Sequence, residues 1–466
     1  MKKKILLLSP PYHPDYMRNA RCDFFSLSST QWYPIWLGYC GCLLQKYGYK
    51  VKLLDALTYK LSYKKTTSII ENFNPDFIVI YSSRISKIDD IKYADYLKQK
   101  FKKEIVFVGP FVSIDPKEYL ALSKFVKFAI RGEFDFPVLE LVKGLPPQEI
   151  RNLLYKDEDT IKENPQRPLL TTQELDQFPF VSEFFYQQLD IKKYRAPSEL
   201  HPFIDIMTGR GCVWGVCTFC LWVHSFIKGA VYNKRSIELV LDELEYISKN
   251  IPVKSVMIQD DTLPQSRAQE LSLGILKRGI KIKWSCYARP NIDFKTLKLM
   301  KKAGCRNLHV GYESSNNEVL KKTAKGITFE EMIEFTYNAK RAGLNIHADF
   351  LMGLYPETRS TILKTIDWAC KLDPFTAQFQ IIIPYPCTPL YQQLKKKGYL
   401  NKEGQPHYPW LSNSEIRKLS KLAYRRFYFR WSYFLRTITH PYDRIIKRIP
   451  TFIKAIPAMF WRRWKV

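Results

Sequence analysis

Three cysteines, Cys212, Cys217 and Cys220, fall within nine residues in the stretch TGRGCVWGVCTFCLW, with Gly211 and Gly215 beside them. Thiols that close together suit three kinds of chemistry. A zinc site needs a fourth donor, and the nearest is His224, since no second CxxC pair occurs. A redox dithiol needs only Cys217 and Cys220 and leaves Cys212 idle. An iron–sulfur cluster held by three cysteines keeps one iron open, and an open iron can bind a substrate or cosubstrate. The spacing favours the cluster and leaves the other two open.

The elements that must position these residues show in the hydrophobic pattern. From residue 201 to 400, short β-branched runs alternate with amphipathic stretches. Strands are expected at 203–208, 255–260, 282–289, 307–314, 345–353 and 377–385. The stretch RSIELVLDELEYISKN between the first two reads as a helix, and TFEEMIEFTYNAKRAG opens with a Thr328…Glu331 capping box. Six consecutive βα units predict a partial (β/α)6 barrel, whose chemistry sits at the C-terminal ends of the strands. The three cysteines follow the first strand and so belong at that end.

Residues 1–145 show the same alternation, with strands expected at 4–9, 49–56, 76–83, 104–110 and 127–133. Continuous apolar strands separated by helices predict a parallel sheet covered on both faces. This is an α/β, doubly wound domain, which binds its ligand beyond the strands' C-terminal ends. Those ends carry Ser9, Pro10 and Tyr12, then Ser82, then Gly109 and Pro110, then Gly132 and Glu133. Residues 146–200 are polar and proline-punctuated, and read as a connector with local turns. Residues 401–466 read as a basic, aromatic, α-helical C-terminal region.

With 466 residues, the chain is long enough for two or three domains. Its composition, 46% hydrophobic and 25% charged, excludes a disordered protein. No apolar run reaches the roughly 18 residues needed to cross a bilayer. The opening MKKKILLLSPPY lacks a long apolar run and a cleavage site, so it reads as a strand and not a signal peptide. A cytoplasmic, reducing location is expected, with the ten cysteines as free thiols or metal ligands. The net charge of +28 is uneven: twelve Lys and Arg lie between Lys421 and Val466 against one acid, Asp443. That tail interleaves aromatics with cations. It suits peripheral contact with an anionic membrane, or a helical layer packed on the barrel with its cations reaching solvent. RNA binding is the weaker rival, so nucleic acid is not expected as a partner.

A GC-x4-C-x-F-C loop after the first strand of a six-stranded partial barrel resembles the radical SAM superfamily, although the usual spacing has three residues between the first two cysteines. The resemblance implies a 4Fe–4S cluster on Cys212, Cys217 and Cys220, and S-adenosylmethionine cleaved at its open iron to start radical chemistry. It also implies cosubstrate contacts at successive strand ends. Asp260 and Asp261 would meet the amino group, Arg289 the carboxylate, Glu313 and Ser315 the ribose, and Met352 and Gly353 the adenine.

A doubly wound domain ahead of such a barrel resembles the cobalamin-binding class of that superfamily, with SPPY, GPF and RGEFDFP as landmarks. The DxHxxG loop is absent, so cobalamin would bind without a histidine on cobalt. A methylthiotransferase would place a second cluster on Cys22, Cys40 and Cys42. Cys40 and Cys42, two apart on one helix, point about 200° apart and read better as buried small side chains. YRRFYFRWSYFLR, CTFCLW, DDT and PIWLGY resemble the group that contains the chlorophyll-precursor cyclases and hopanoid-associated enzymes. This implies methyl transfer, ring formation or carbon–carbon coupling on an apolar substrate such as a lipid. It also implies a one-electron donor such as flavodoxin or ferredoxin. The competing reading is a non-radical zinc or iron–sulfur protein with a redox or structural role.

Overall fold

The structure, a computed structural model, describes residues 2–18, 23–26, 30–433 and 435. The buried apolar runs near the N-terminus pair in parallel. Their spatial order is Lys50–Asp55, Lys4–Ser9, Phe77–Tyr81, Glu104–Val108 and Phe128–Ile130. Order 2-1-3-4-5 is that of a doubly wound sheet, with its switch point between the strands Lys4–Ser9 and Phe77–Tyr81.

The stretch 146–200 is more ordered than its composition predicts. Leu153–Asp157 and Thr160–Glu163 form an antiparallel hairpin that extends this sheet to seven strands. Only Leu153 and Leu154 of the hairpin are buried, so its pattern carries little hydrophobic signal. The helix Val181–Gln188 follows. Its Phe184 and Phe185 lie over Gly41 and Gly38 of the helix Ile35–Lys46, so close that a Cβ at either glycine would stand 2.4 Å from a ring.

The second sheet has six parallel strands in chain order: Phe203–Ile206, Ser255–Ile258, Trp284–Ala288, Cys305–Glu313, Asn345–Met352 and Thr376–Ile381. This is the expected partial barrel. Its open edge is covered by the helix Asn413–Tyr428. Ser420 donates to the Phe379 carbonyl at 2.8 Å, and the Tyr428 hydroxyl donates to the Ala377 carbonyl at 2.6 Å. These hydroxyls satisfy edge groups that would otherwise invite another strand. The described start of the basic tail is therefore a packed helical layer, while Phe429 and Trp431 beyond it are exposed. The rest of the tail, residues 436–466, lies outside the described residues, and with it the expected membrane contact. No described helix is long and apolar enough to cross a membrane.

One hydrophobic core runs through both sheets. The helix Ile35–Lys46 joins them: the Tyr39 hydroxyl accepts from the Met207 amide at 2.8 Å, and Trp36 stacks on Trp222 at 5.6 Å. Cys40 and Cys42 on this helix are fully buried, and burial pushes both thiols up. They fill space and stay protonated, as expected. Cys22 lies outside the described residues.

Candidate active site

The cysteine loop does not leave the first barrel strand directly. A second short strand, Gly209–Cys212, intervenes and pairs antiparallel with Val231–Lys234. The loop between them carries Cys217 and Cys220. Gly211, at φ +98°, and Gly215, at φ +59°, let the outgoing chain press on the returning one. A Cβ there would stand 2.2 Å from the Val231 carbonyl oxygen and from the Ala230 Cα respectively. Gly215 is thus held in a tight approach.

The three thiols share one neighbourhood. Burial pushes Cys217 up, and Cys212 adds to the shift while Lys325 and Arg289 oppose it. Burial pushes Cys220 up to about 12, with Cys217 contributing. Among the described residues no three His, Cys, Asp or Glu side chains converge as ligands of a single metal ion. Donors of one zinc would all stand within about 2.3 Å of one point, whereas those of a cluster bind separate irons. His224, the expected fourth zinc donor, directs Nε2 to the Cys217 carbonyl oxygen at 3.0 Å. Three thiols, with His224 turned to the loop's backbone, are the donor number that leaves one iron of a cluster open.

Residues after the fourth strand brace this loop, and nothing in their sequence pattern announces it. Thr323 accepts from the Thr218 amide at 3.0 Å, and the Ala324 carbonyl accepts from the Trp214 indole at 2.7 Å. The Lys325 carbonyl accepts from Arg289 at 2.6 Å, and the Arg289 guanidinium stacks on Trp214 at 4.7 Å. Lys325 is itself buried and donates to Glu313 at 2.7 Å. Glu313 adopts φ +65°, rare for a side chain with a Cβ, beside a register shift in the fourth strand.

The expected cosubstrate contacts divide. Arg289 and Glu313 do face the cysteine loop. Asp261 accepts from the Gly211 amide at 2.8 Å and so steadies the approach to Cys212. Ser315 shares its hydroxyl with Thr365 at 3.1 Å. Asp260 is a correction. Its carboxylate accepts from the Thr208 amide at 2.6 Å, the Thr208 hydroxyl at 2.5 Å and Tyr232 at 2.7 Å, and it is fully buried. It fixes the turn from the first strand into the hairpin and has no lone pair left for a ligand's amino group. Met352 is a second correction: it occupies the helix-facing side of its strand and is fully buried. Gly353 follows; its carbonyl accepts from Tyr408 at 2.7 Å and its amide donates to Glu357 at 2.7 Å.

Glu357 went unnoticed in the sequence. It also accepts from the Leu354 amide and from Ser314, tying the fourth strand end to the fifth. Burial pushes its carboxyl up to about 8 despite these donors. The folded state therefore holds a proton that an unfolded glutamate releases near pH 4.5. Its contribution to stability is present below that pH and lost as pH rises towards 8. We expect the thermal unfolding midpoint to fall over this interval, and Glu357→Gln to flatten the fall, measured by circular dichroism.

The strand ends of the doubly wound domain are also largely committed. Arg18, fully buried, fills the switch point. It donates to the Pro10 carbonyl at 2.7 Å, Ser9 at 3.3 Å, Ser86 at 2.9 Å and Asp90 at 2.9 Å. Ser82 donates to the same Asp90 at 2.7 Å, and Tyr12 reaches the Ile85 carbonyl at 3.5 Å. Ser9 and Ser82 thus support the floor of the crevice instead of lining it. Glu133, expected at a ligand's edge, is a correction as well: with Asp135 it pairs with Arg210 of the cysteine hairpin, at 2.9 and 2.7 Å. The Arg210 guanidinium lies over Trp36 at 4.7 Å.

Gly109, at φ +124°, and Pro110 lead to Phe111, which packs with Leu221 and Tyr385. Leu221 follows Cys220, and Tyr385 follows the last barrel strand. Gly132, at φ +65°, lies against the Phe226 carbonyl, which a Cβ there would meet in ordinary contact at 3.4 Å. The two sets of strand ends therefore face one another across the cysteine loop.

Residues 206–369 match the family model of the radical SAM superfamily. The chain is 31% identical over 464 residues to an uncharacterized methyltransferase of Pyrococcus horikoshii, covering 96% of each chain. It is 24% identical over 456 residues to the cytidylyl-2-hydroxyethylphosphonate methyltransferase of Streptomyces wedmorensis, covering 86% of this chain and 83% of that protein. Its fold resembles that of the radical S-adenosylmethionine methyltransferase TsrM of Kitasatospora setae, solved with cobalamin and a [4Fe-4S] cluster. The TM-score is 0.65 at 18% identity, over 85% of this chain and 75% of that one. A non-radical metal protein is not favoured by these matches. A thiol loop over a parallel barrel, a family model that matches that barrel and a full-length relative agree: the chain belongs to the radical SAM superfamily of enzymes.

Proposed function

We propose that the chain is a cobalamin-dependent radical SAM methyltransferase acting on a small molecule. Cys212, Cys217 and Cys220 would hold the 4Fe–4S cluster. Arg289, Glu313 and Ser315 would bind S-adenosylmethionine, with Gly353 packing against its adenine. The segments Pro10–Tyr12, Gly109–Pro110 and Gly132 would bind cobalamin. When bound, these groups supply one-electron cleavage of the sulfonium and a carrier for the methyl group.

The protein's own part is positioning. Asp260 and Asp261 hold the backbone on either side of Gly209–Gly211, which sets where Cys212 enters the loop. Lys325 and Arg289 place positive charge beside Cys217, which favours its thiolate. Phe111, Leu221 and Tyr385 keep water from the seam between the two cofactor regions. The observation that carries the reading is the cysteine loop lying between two facing sets of parallel-strand ends. A one-electron donor is required, and flavodoxin or ferredoxin would serve. The apolar lipid substrate suggested by the tail draws no support from the described residues.

The test is product analysis of anaerobically reconstituted protein with a strong reductant. Methyl transfer yields S-adenosylhomocysteine together with 5′-deoxyadenosine. A preparation that binds zinc but neither iron nor sulfide would sink the assignment. Deoxyadenosine with no homocysteine product would replace methyl transfer by ring formation or coupling.

A further inference from the structure

We infer that the barrel interior is a chamber for a polar substrate that presents a protonated amine to Asp349, and this rests on the functional reading above. The fifth strand, Asn345–Met352, lies between two strands and is backed by helices, yet its burial alternates. Ile346, Ala348, Phe350 and Met352 are buried against the outer layer, while His347 and Asp349 on the other face remain accessible. The Asp349 side chain is 31% exposed. A side chain on an interior strand can be that exposed only if it borders open space inside the barrel.

That space is polar. His347 packs against His309 with ring centroids 4.8 Å apart, and His309 against Tyr287 at 5.0 Å. Gln378 stands beside Asp349 in the register of the last strand. Below them, His309 is hydrogen-bonded to Glu199 at 3.0 Å, and Ser285 donates to the same carboxylate at 2.8 Å. Asn307, on the same face as His309, is fully buried with neither amide atom hydrogen-bonded, and Oδ1 of the fully buried Asp205 also lacks a partner. Native interiors leave few such groups unless something else satisfies them.

The charge of this face is negative. Asp349 has one ionic neighbour, His347 at 3.4 Å, and no lysine or arginine among the described residues pairs with it. Arg289 and Lys325 are engaged at the cysteine loop. A carboxylate that is accessible, without a paired lysine or arginine, and set between hydrogen-bonding groups is complementary to an ammonium group. From His309 to Glu313 the fourth strand rises about 13 Å at ~3.3 Å per residue. That leaves room for a small molecule between the cosubstrate level and the unsatisfied amide of Asn307.

The test uses three probes on one scaffold: phenethylamine, 2-phenylethanol and phenylacetate. Binding to the anaerobic holoenzyme is measured by equilibrium dialysis. The amine is expected to bind about tenfold or more tightly than the alcohol, as a charge-assisted hydrogen bond would give, with phenylacetate weakest. Asp349→Asn and Asp349→Ala should each erase the amine's advantage. Equal binding of amine and alcohol, or an advantage that survives both substitutions, overturns the proposal. So does competition of the amine by S-adenosylmethionine, because the amine would then sit in the cosubstrate's place. Failure of the functional reading shows separately, as protein without iron and sulfide.

Discussion

Cys217→Ala is expected to reduce S-adenosylmethionine cleavage to the uncatalysed background and to remove the visible absorption of the reconstituted cluster. The argument is one of donor count. With three protein thiolates, one iron stays open for the cosubstrate; with two, a second iron is exposed and the cluster loses its anchor on the loop. Of the other described thiols, Cys387 packs against the cluster that contains Leu221. Cys286 and Cys305 are buried in the barrel core, and Cys40 and Cys42 in the interdomain helix. Lys325 would be left beside a position with no anion, and Arg289 would keep only its carbonyl and indole contacts. Cys370→Ser is the control, because Cys370 contacts the Arg426 carbonyl at 3.6 Å, away from the loop. Full cleavage activity in Cys217→Ala would refute the cluster assignment, whatever the fold.

Why the cysteine loop was readable and its supports were not is a matter of range. Parallel strands buried on both faces must be continuous apolar runs, so FIDI, SVMI and DFIVIY declare themselves. A glycine before a cysteine declares a tight loop. Ion pairs carry no such local mark. Arg18 meets Asp90 across 72 positions, and Arg210 meets Asp135 across 75. A basic chain offers many arginines, and nothing in composition says which are buried. Asp260 and Asp261 show the finer difficulty. Adjacent acids at a strand end look alike in sequence, yet one enters the turn's hydrogen-bond network around Thr208 while the other accepts from the Gly211 amide of the cysteine strand. Met352 was misplaced by a single step of strand parity, which turns a side chain to the opposite face. The hairpin Gly209–Cys212 with Val231–Lys234 escaped notice because glycine and cysteine are poor strand markers and its pairing spans the whole loop.

Arg210 is where the two halves of the molecule are registered, and its removal is expected to cost more stability than loss of any surface charge. Its side chain is 3% exposed, and those of Glu133 and Asp135 are 5% and 1%. Arg210→Met would leave two carboxylates buried without a cation in a wall of Trp36, Tyr39 and Phe178. Breaking a buried pair in this way costs about 3–5 kcal/mol. Burial already pushes Glu133 up, and Arg210 is the chief opposing influence. Without it the carboxyl should shift further towards the protonated form, so the variant should recover part of its loss at low pH. The triple replacement Arg210→Met, Glu133→Gln and Asp135→Asn removes the stranded charge altogether and should regain most of the lost stability. Urea unfolding followed by circular dichroism distinguishes these outcomes. A single variant as stable as the triple one would show that the pair is not desolvated. Because Arg210 stands two residues before Cys212, the single variant should also bind less iron per chain after reconstitution. The triple variant tests whether charge or shape sets the hairpin: restored stability with iron still low would mean that the guanidinium's stacking on Trp36, and not its pairing, holds the cysteine strand in place.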